Sequence, residues 1–202
     1  FVSQKPLDLG ADFSVFSTTK FISGHGSVTA GAVVSKTKEL HQKVRFYANA
    51  YGNAQSPMDV YLTSLGLPTL VYRMKAQEES ALIIAKFLKN FPQIKSVKFP
   101  ALEDFEQYDL AKKQMSIIPA VLTIQLQDEE TANQLINNTK LFGKKVSFGT
   151  SDSRLEIPAK MSHATNSKDS LASKGIDNAT VRISVGLENT EDLIEDLSQA
   201  LQ

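Results

Sequence analysis

Apolar residues alternate with polar ones, or form short runs, in several stretches of the chain. Strict alternation at residues 120–126 and 180–185 predicts two strands, each with one apolar and one polar face. Apolar runs that end in turn residues predict further strands at residues 9–17, 28–35, 96–100 and 144–149.

Apolar residues three and four positions apart predict helices. The clearest case is Ala81, Ile84, Ala85 and Leu88, which repeat at i, i+3, i+4 and i+7 among charged neighbours. Asn189 and Thr190 are capping residues for a last helix with Leu193, Ile194, Leu197 and Leu201 on one face. Weaker patterns predict helices at residues 36–47, at residues 58–67 and around Ala132, Leu135 and Ile136.

The order of these elements indicates an α+β layer in the second part of the chain. From about residue 72 the predicted order is helix, strand, strand, helix, strand, strand, helix, with a polar loop at residues 157–178. The chain begins at Phe1 rather than Met and is soon in strand-like sequence. We therefore expect the back part of a longer protein.

Charge and composition exclude several classes of function. Lysine plus arginine and aspartate plus glutamate number 22 each, so we expect no nucleic-acid partner. Cysteine is absent from the sequence, which removes thiolate zinc sites and cysteine nucleophiles, and no histidine spacing suggests a metal site. No apolar run reaches the length of a membrane span and no leader pattern is visible, so we expect a cytoplasmic protein without a membrane partner.

Lys20 is the first candidate for chemistry, because it stands between hydroxyl residues and a Gly-His-Gly turn. One interpretation is a lysine that extends from a strand end to water. The other is an amine in a dry pocket, with a lowered pKa, that attacks an aldehyde. If the aldehyde is pyridoxal phosphate, Ser17 and Thr19 are suited to hold its phosphate.

Arg182 is the second candidate, because it lies on the polar face of an alternating strand. A guanidinium there can bind a carboxylate if the face lines a cleft, and Ser147 can assist. The commoner role for an arbitrary strand arginine is a surface ion pair.

Several blocks of the chain resemble the Cys/Met-metabolism family of pyridoxal-phosphate enzymes, which includes the cystathionine lyases, cystathionine γ-synthase and methionine γ-lyase. The lysine block GADFSVFSTTKFISGHGSVTAGAVV (10–34) and the block TVRISVGLENTEDLIEDLSQAL (180–201) carry it most specifically. RFYANAYGNAQSP (45–57) and KVSFGTSDSRLEIPAKMSHA (145–164) continue it in order. The resemblance covers nearly the whole chain, but only the back half of a family chain.

This resemblance implies an α/β fold of the fold-type I pyridoxal-phosphate transferases. Residues 1–71 would be the end of the large cofactor domain, and residues 72–202 the small C-terminal α+β domain. Lys20 would bind the cofactor covalently and move the substrate Cα proton, Ser17 and Thr19 would hold the phosphate, and Ser147 and Arg182 the substrate α-carboxylate. The implied activity is a lyase or γ-synthase of transsulfuration, in a homodimer or homotetramer that binds a small amino-acid substrate.

The chain also departs from the family pattern. Ser27 stands where the family usually has Asp, and Leu65 where it usually has Arg. Asp152 and Ile157 replace a usual Glu and His, and residues 118–120 replace a glycine-rich strand entry. The front half of a family chain supplies the aromatic ring that stacks on the cofactor, the acid at the ring nitrogen and an arm shared between subunits. A non-catalytic fragment or degenerate module is therefore the alternative, and an unrelated small-molecule-binding module is a third.

Overall fold

The computed structural model describes residues 2–202, apart from the side chain of residue 168. Its strands are β1 (Phe13–Ser17), β2 (Gly31–Ser35), β3 (Ile94–Lys98), β4 (Val121–Leu126), β5 (Gly143–Lys144), β6 (Arg154–Glu156) and β7 (Thr180–Ser184). Its helices are α1 (Lys38–Ala50), α2 (Pro57–Gly66), α3 (Leu70–Leu88), α4 (Tyr108–Gln114), α5 (Glu129–Asn138), α6 (Lys168–Ser173) and α7 (Thr190–Ala200). Among the described residues, no helix combines the length and apolar character needed to cross a membrane.

A mixed sheet of β3, β4, β7, β6 and β5, in that spatial order, forms the centre of the later part of the chain. All its neighbouring strands are antiparallel except β5 and β6. Arg182 on β7 lies opposite Thr123 on β4 and opposite Glu156 on β6. One row across the sheet therefore brings Arg182 and Glu156 together on the same face.

The main core lies between this sheet and helices α3, α5 and α7. The alternation predicted for β4 and β7 is confirmed, because Leu122, Ile124, Val181 and Ile183 are almost completely buried. Burial of each such side chain contributes about 1.5–3 kcal/mol. The opposite face of the sheet is left for polar residues, including Arg182.

The helix ends follow the capping signals in the sequence. The Asn189 side chain accepts hydrogen bonds from the backbone N–H groups of Glu191 (2.8 Å) and Asp192 (3.2 Å), as predicted for the last helix. Asp128 caps α5 by accepting from the N–H of Thr131 at 2.8 Å. These caps satisfy N–H groups that have no partner inside the helix.

The first part of the chain is much less buried. β1 and β2 form an antiparallel pair, with Phe13 opposite Ser35, and Val15 on this pair is 76% exposed. Helix α1 contains no buried residue. Tyr51 and Tyr72 are also largely exposed, so apolar surface is concentrated before about residue 73.

Three local predictions are wrong, and one helix was missed. Residues 144–149 do not form one strand, because β5 ends at Lys144 and Ser147 has a positive φ of 83°. The predicted loop at residues 157–178 contains α6, and β6 precedes it, because such short elements leave little periodicity. Helix α4 was missed for the same reason, and Lys20 lies in a helical turn rather than at the end of a strand.

Candidate active site

Lys20 lies in a helical turn (Thr18–Ile22) that follows β1 directly. Its backbone angles, φ −87° and ψ −129°, interrupt the turn. The turn is fixed to residue 30 at the start of the next strand, because the Ala30 N–H donates to the Thr19 hydroxyl at 2.8 Å and the Thr18 N–H donates to the Ala30 carbonyl at 2.9 Å. The amine of Lys20 is thereby held at the junction of β1 and β2.

Arg73 on α3 fastens the other end of this turn. Its guanidinium donates to the carbonyls of Phe21 (2.9 Å), Ile22 (3.2 Å) and Gly66 (2.8 Å), although Arg73 is only 6% exposed. Desolvation by burial lowers the pKa of Arg73. Gly24 must be glycine, since its φ is +70° and a Cβ there would lie 2.0 Å from Nη1 of Arg73.

The loop after β5 supplies the partner of the lysine. The Lys20 amine donates to the Ser147 hydroxyl at 2.7 Å. Gly149 lets this loop approach the lysine turn, because its φ is +76° and a Cβ would lie 2.8 Å from the backbone nitrogen of Phe21. The Gly149 N–H also donates to the Ser184 hydroxyl at 3.1 Å, which ties the loop to β7.

Arg182 reaches the same place from the sheet. Its Nη2 donates to the Ser147 carbonyl at 3.1 Å and forms an ion pair with Glu156 at 3.0 Å. The Phe148 ring lies 5.2 Å from the Arg182 guanidinium carbon and 4.9 Å from the Lys20 amine. A cation on each of two elements therefore contacts one aromatic ring.

The electrostatics of the site destabilise the protonated form of the Lys20 amine. Desolvation by burial lowers the pKa of Lys20, and the positive charges of Arg182 and then Arg154 lower it further. The negative charge of Glu156 acts in the opposite direction. An amine must be neutral to attack a carbonyl, so these neighbours increase the reactive fraction.

A second arginine, Arg154, stabilises the loop that carries Ser147. Its guanidinium donates to both carboxylate oxygens of Asp152, at 3.0 and 3.1 Å, and to the Val146 carbonyl at 3.1 Å. Burial alone would raise the pKa of Asp152, but hydrogen bonds from Arg154 and Thr150 and the charge of Arg154 lower it to about 2. Asp152 therefore stays charged and keeps its ion pair with Arg154.

Three of the predicted site residues, Lys20, Ser147 and Arg182, come together around Phe148. Ser17 and Thr19 lie on the adjoining turn. Within residues 2–202 the exposed Ser17 hydroxyl has no hydrogen-bond partner, whereas that of Thr19 accepts from the Ala30 N–H and donates to the Ala30 carbonyl at 3.3 Å. Their roles in cofactor and substrate binding remain predictions.

Sequence reasoning missed two residues that support the site, Glu156 and Arg73. Glu156 carried no signal because β6 has only three residues. The sequence did contain a signal for Arg73, because Arg73, Gln77 and Ala81 repeat at i, i+4 and i+8 on the buried face of α3. A charged residue on an apolar helical stripe indicates a buried partner.

Similarity to known proteins identifies the family of this chain. Residues 2–202 match the model of the family described as "Cys/Met metabolism PLP-dependent enzyme". The chain belongs to this family. This confirms the resemblance stated from the sequence and contradicts the alternative of an unrelated binding module.

Its relatives and structural neighbours agree. Bovine cystathionine gamma-lyase is 38% identical over 98% of this chain and 49% of its own length. L-methionine gamma-lyase of Treponema denticola is 41% identical over 98% of this chain and 50% of its own length. Cystathionine gamma synthase from Xanthomonas oryzae pv. oryzae, solved with aminoacrylate and cysteine, aligns at a TM-score of 0.96 and 37% identity over 99% of this chain and 52% of its own.

The fold-type I α/β fold expected from the resemblance is thereby confirmed. The chain spans about half the length of the curated relatives it matches. The boundary predicted between residues 71 and 72 remains a prediction, and α3 runs through it.

Lys20 and Ser17 fit the chemistry of the pyridoxal-phosphate cofactor that this family uses. An amine with a lowered pKa is the group that bonds to an aldehyde, and the Ser17 hydroxyl, which has no hydrogen-bond partner within residues 2–202, lies three residues before Lys20 for a phosphate.

Proposed function

We propose that this chain is the C-terminal half of a pyridoxal-phosphate-dependent enzyme of transsulfuration. The substrate class is a sulfur amino acid, such as cystathionine, methionine or cysteine, or an O-acyl-homoserine. The observation that carries the proposal is the meeting of Lys20, Ser147 and Arg182 around Phe148 in a chain of this family. The relatives include cystathionine and methionine lyases and a cystathionine synthase. These relatives favour no single reaction for this chain.

In this proposal Lys20 holds the cofactor and Ser17 and Thr19 bind its phosphate. Pyridoxal phosphate supplies the electron sink for negative charge at the substrate Cα. The Lys20 amine would take the proton from Cα and return it later. Its lowered pKa suits this exchange, because a general acid and base works best when its pKa is closer to the operating pH.

Arg182 and Ser147 bind the α-carboxylate of the substrate. The guanidinium offers charge-assisted hydrogen bonds, and the Phe148 ring keeps it oriented toward the lysine. The Ser147 hydroxyl, which accepts from Lys20 in this structure, is then released to donate to the carboxylate. Two anchors at one carboxylate would orient the Cα–H bond toward the lysine.

The complete protein is proposed to be a cytoplasmic homodimer or homotetramer with the large and small domains meeting near residue 72. The alternative function is a non-catalytic fragment or degenerate module. Ser27 and Leu65 favour this alternative as departures from the family pattern.

Replacing Arg182 by leucine tests the substrate side of the proposal. The chain is mixed with pyridoxal phosphate and titrated with L-norvaline, an amino acid without a leaving group, in a calorimeter. We expect Arg182→Leu to weaken norvaline binding by about tenfold or more, the loss of one charge-assisted contact, while capture of saturating cofactor persists. The control is Arg45→Leu, which changes an exposed arginine of α1. Equal loss of amino-acid and cofactor binding would mean that Arg182 has a structural role instead.

A further inference from the structure

Glu156 is a buried carboxylate for which the proposed chemistry has no role. It is 1% exposed, and it lies opposite Arg182 in the register of β6 and β7. A buried charge is costly unless it is paired and hydrogen-bonded. The sheet therefore holds this carboxylate beside Arg182 at a cost that a well-packed apolar residue would avoid.

The polar contacts of Glu156 within the described residues involve one of its two carboxylate oxygens. Its Oε1 forms an ion pair with Arg182 Nη2 at 3.0 Å and accepts a hydrogen bond from the Ser162 hydroxyl at 2.6 Å. Its Oε2 is buried and has no hydrogen-bond partner within residues 2–202. Ser162 is in turn 2.8 Å from Nδ1 of His163. The carboxylate is thus fixed by a hydroxyl from the loop after β6 and faces one guanidinium.

The guanidinium of Arg182 is consequently held by one of its nitrogens. Nη2 makes both protein contacts, to Glu156 and to the Ser147 carbonyl. Within the described residues, Nε and Nη1 have no hydrogen-bond partner, and the group lies against the Phe148 ring. Three N–H donors therefore remain for an incoming anion.

We propose that Glu156 is a positioning residue that holds Arg182 in the orientation required to bind the substrate α-carboxylate. This inference rests on the proposed function, because it takes Arg182 as the carboxylate anchor. Glu156 fixes Nη2 against the sheet and leaves Nε and Nη1 to bind the substrate. The negative charge of Glu156 also repels an incoming carboxylate. Its effect on the orientation of Arg182 therefore favours carboxylate binding, whereas its charge disfavours it.

Two substitutions separate these effects. Glu156→Gln keeps a polar oxygen beside Arg182 and removes the negative charge, so carboxylate binding is maintained or becomes tighter. Glu156→Ala removes the contact with Nη2 and frees Arg182 to rotate, so carboxylate binding weakens by about tenfold. A merely structural residue would weaken binding in proportion to the loss of stability in both variants.

The test uses the 202-residue chain labelled with ¹⁵N arginine, which has only Arg45, Arg73, Arg154 and Arg182 to resolve. The Nη–H resonances of Arg182, assigned with Arg182→Lys, and their rate of exchange with water report the contact of Nη2 with Glu156 without any ligand. We expect Glu156→Gln to leave this exchange near the wild-type rate and Glu156→Ala to accelerate it. Asp196→Asn is the matched control, because Asp196 is also a buried carboxylate but binds the backbone N–H groups of residues 140–142.

Titration with L-norvaline on the same samples then separates this inference from the proposed function. If Arg182→Leu binds norvaline as well as the wild type, or if the wild type does not bind it, the carboxylate role of Arg182 is wrong. If Arg182→Leu weakens binding but Glu156→Ala changes neither Arg182 exchange nor norvaline affinity, only the role of Glu156 is overturned. Acceleration of Arg182 exchange by Asp196→Asn to the same extent would also overturn it.

Discussion

Lys20 shows how a few neighbours change the behaviour of one side chain. Burial and the charges of Arg182 and Arg154 lower its pKa, while Glu156 partly offsets them. The hydrogen bond to Ser147 places the amine beside the guanidinium that contributes the larger of the two repulsions. Attraction to a hydroxyl and repulsion from a cation thus act on the same nitrogen.

The pH dependence of Lys20 modification measures this effect. We expect the midpoint for its reaction with an amine-specific reagent, followed by mass spectrometry, to lie below 10.5, the ordinary pKa of a lysine amine. In Arg182→Leu the midpoint should rise, because a nearby positive charge no longer disfavours the protonated amine. Arg45→Leu serves as the control. A midpoint that Arg182→Leu leaves unchanged would contradict the electrostatic coupling.

Ser147 combines a functional side chain with an unfavourable backbone. Its φ of 83° lies in the left-handed region, where a residue with a Cβ is strained. We expect Ser147→Gly to be more stable than Ser147→Ala by about 1 kcal/mol, because both lose the hydroxyl and only glycine relieves the strain. Urea unfolding of the two variants at equal slope gives this difference. A more stable alanine variant would show that the backbone at residue 147 is not strained in solution.

At the scale of elements, the sequence pattern predicted the longer helices and strands, which bury one face. The faces of β4 and β7, the run of α3 and the cap of α7 are confirmed, because a burial pattern repeated over several residues is visible in the sequence. β6 has three residues and gives no such pattern, so the position of Glu156 beside Arg182 was not predictable. The bend at Ser147 was hidden because an apolar run carries no information about φ.

Helices α1 and α5 should differ in stability although both are capped by side chains. α1 is longer, with 13 residues, but buries none of them, whereas α5, with 10 residues, buries Ala132, Leu135 and Ile136. A helix of this length is marginal in water without tertiary packing. In the 202-residue chain we therefore expect amide hydrogen exchange to be fast in α1 and slow in α5. Equal protection of the two helices would mean that α1 is covered by another chain or packs differently.

At the scale of the whole molecule, burial is divided unevenly along the sequence. The core of the mixed sheet and helices α3, α5 and α7 is extensive, while the residues before about 73 expose many large apolar side chains. The chain also spans about half the length of its relatives. An exposed apolar surface of this kind usually marks an interface, so the first part of the chain is where further polypeptide is expected to pack.

The resemblance in the sequence located Lys20, Ser147 and Arg182, and the fold brings those three together from the lysine turn, the loop after β5 and β7. Sequence patterns alone did not predict that Phe148 lies between the two cations, because contacts across more than a hundred residues depend on the assembled sheet. The site is therefore formed at the junction of the poorly buried and the well-buried parts of the chain.

The most direct test of the central claim is the visible absorbance spectrum of the purified chain with pyridoxal phosphate. It is recorded beside Lys20→Ala and beside Lys5→Ala, which changes an exposed lysine. The account predicts a new band, distinct from that of free cofactor, in the wild type and in Lys5→Ala but not in Lys20→Ala. The same band in Lys20→Ala, or no band beyond that of free cofactor in the wild type, would contradict the claim that Lys20 in this chain captures the cofactor.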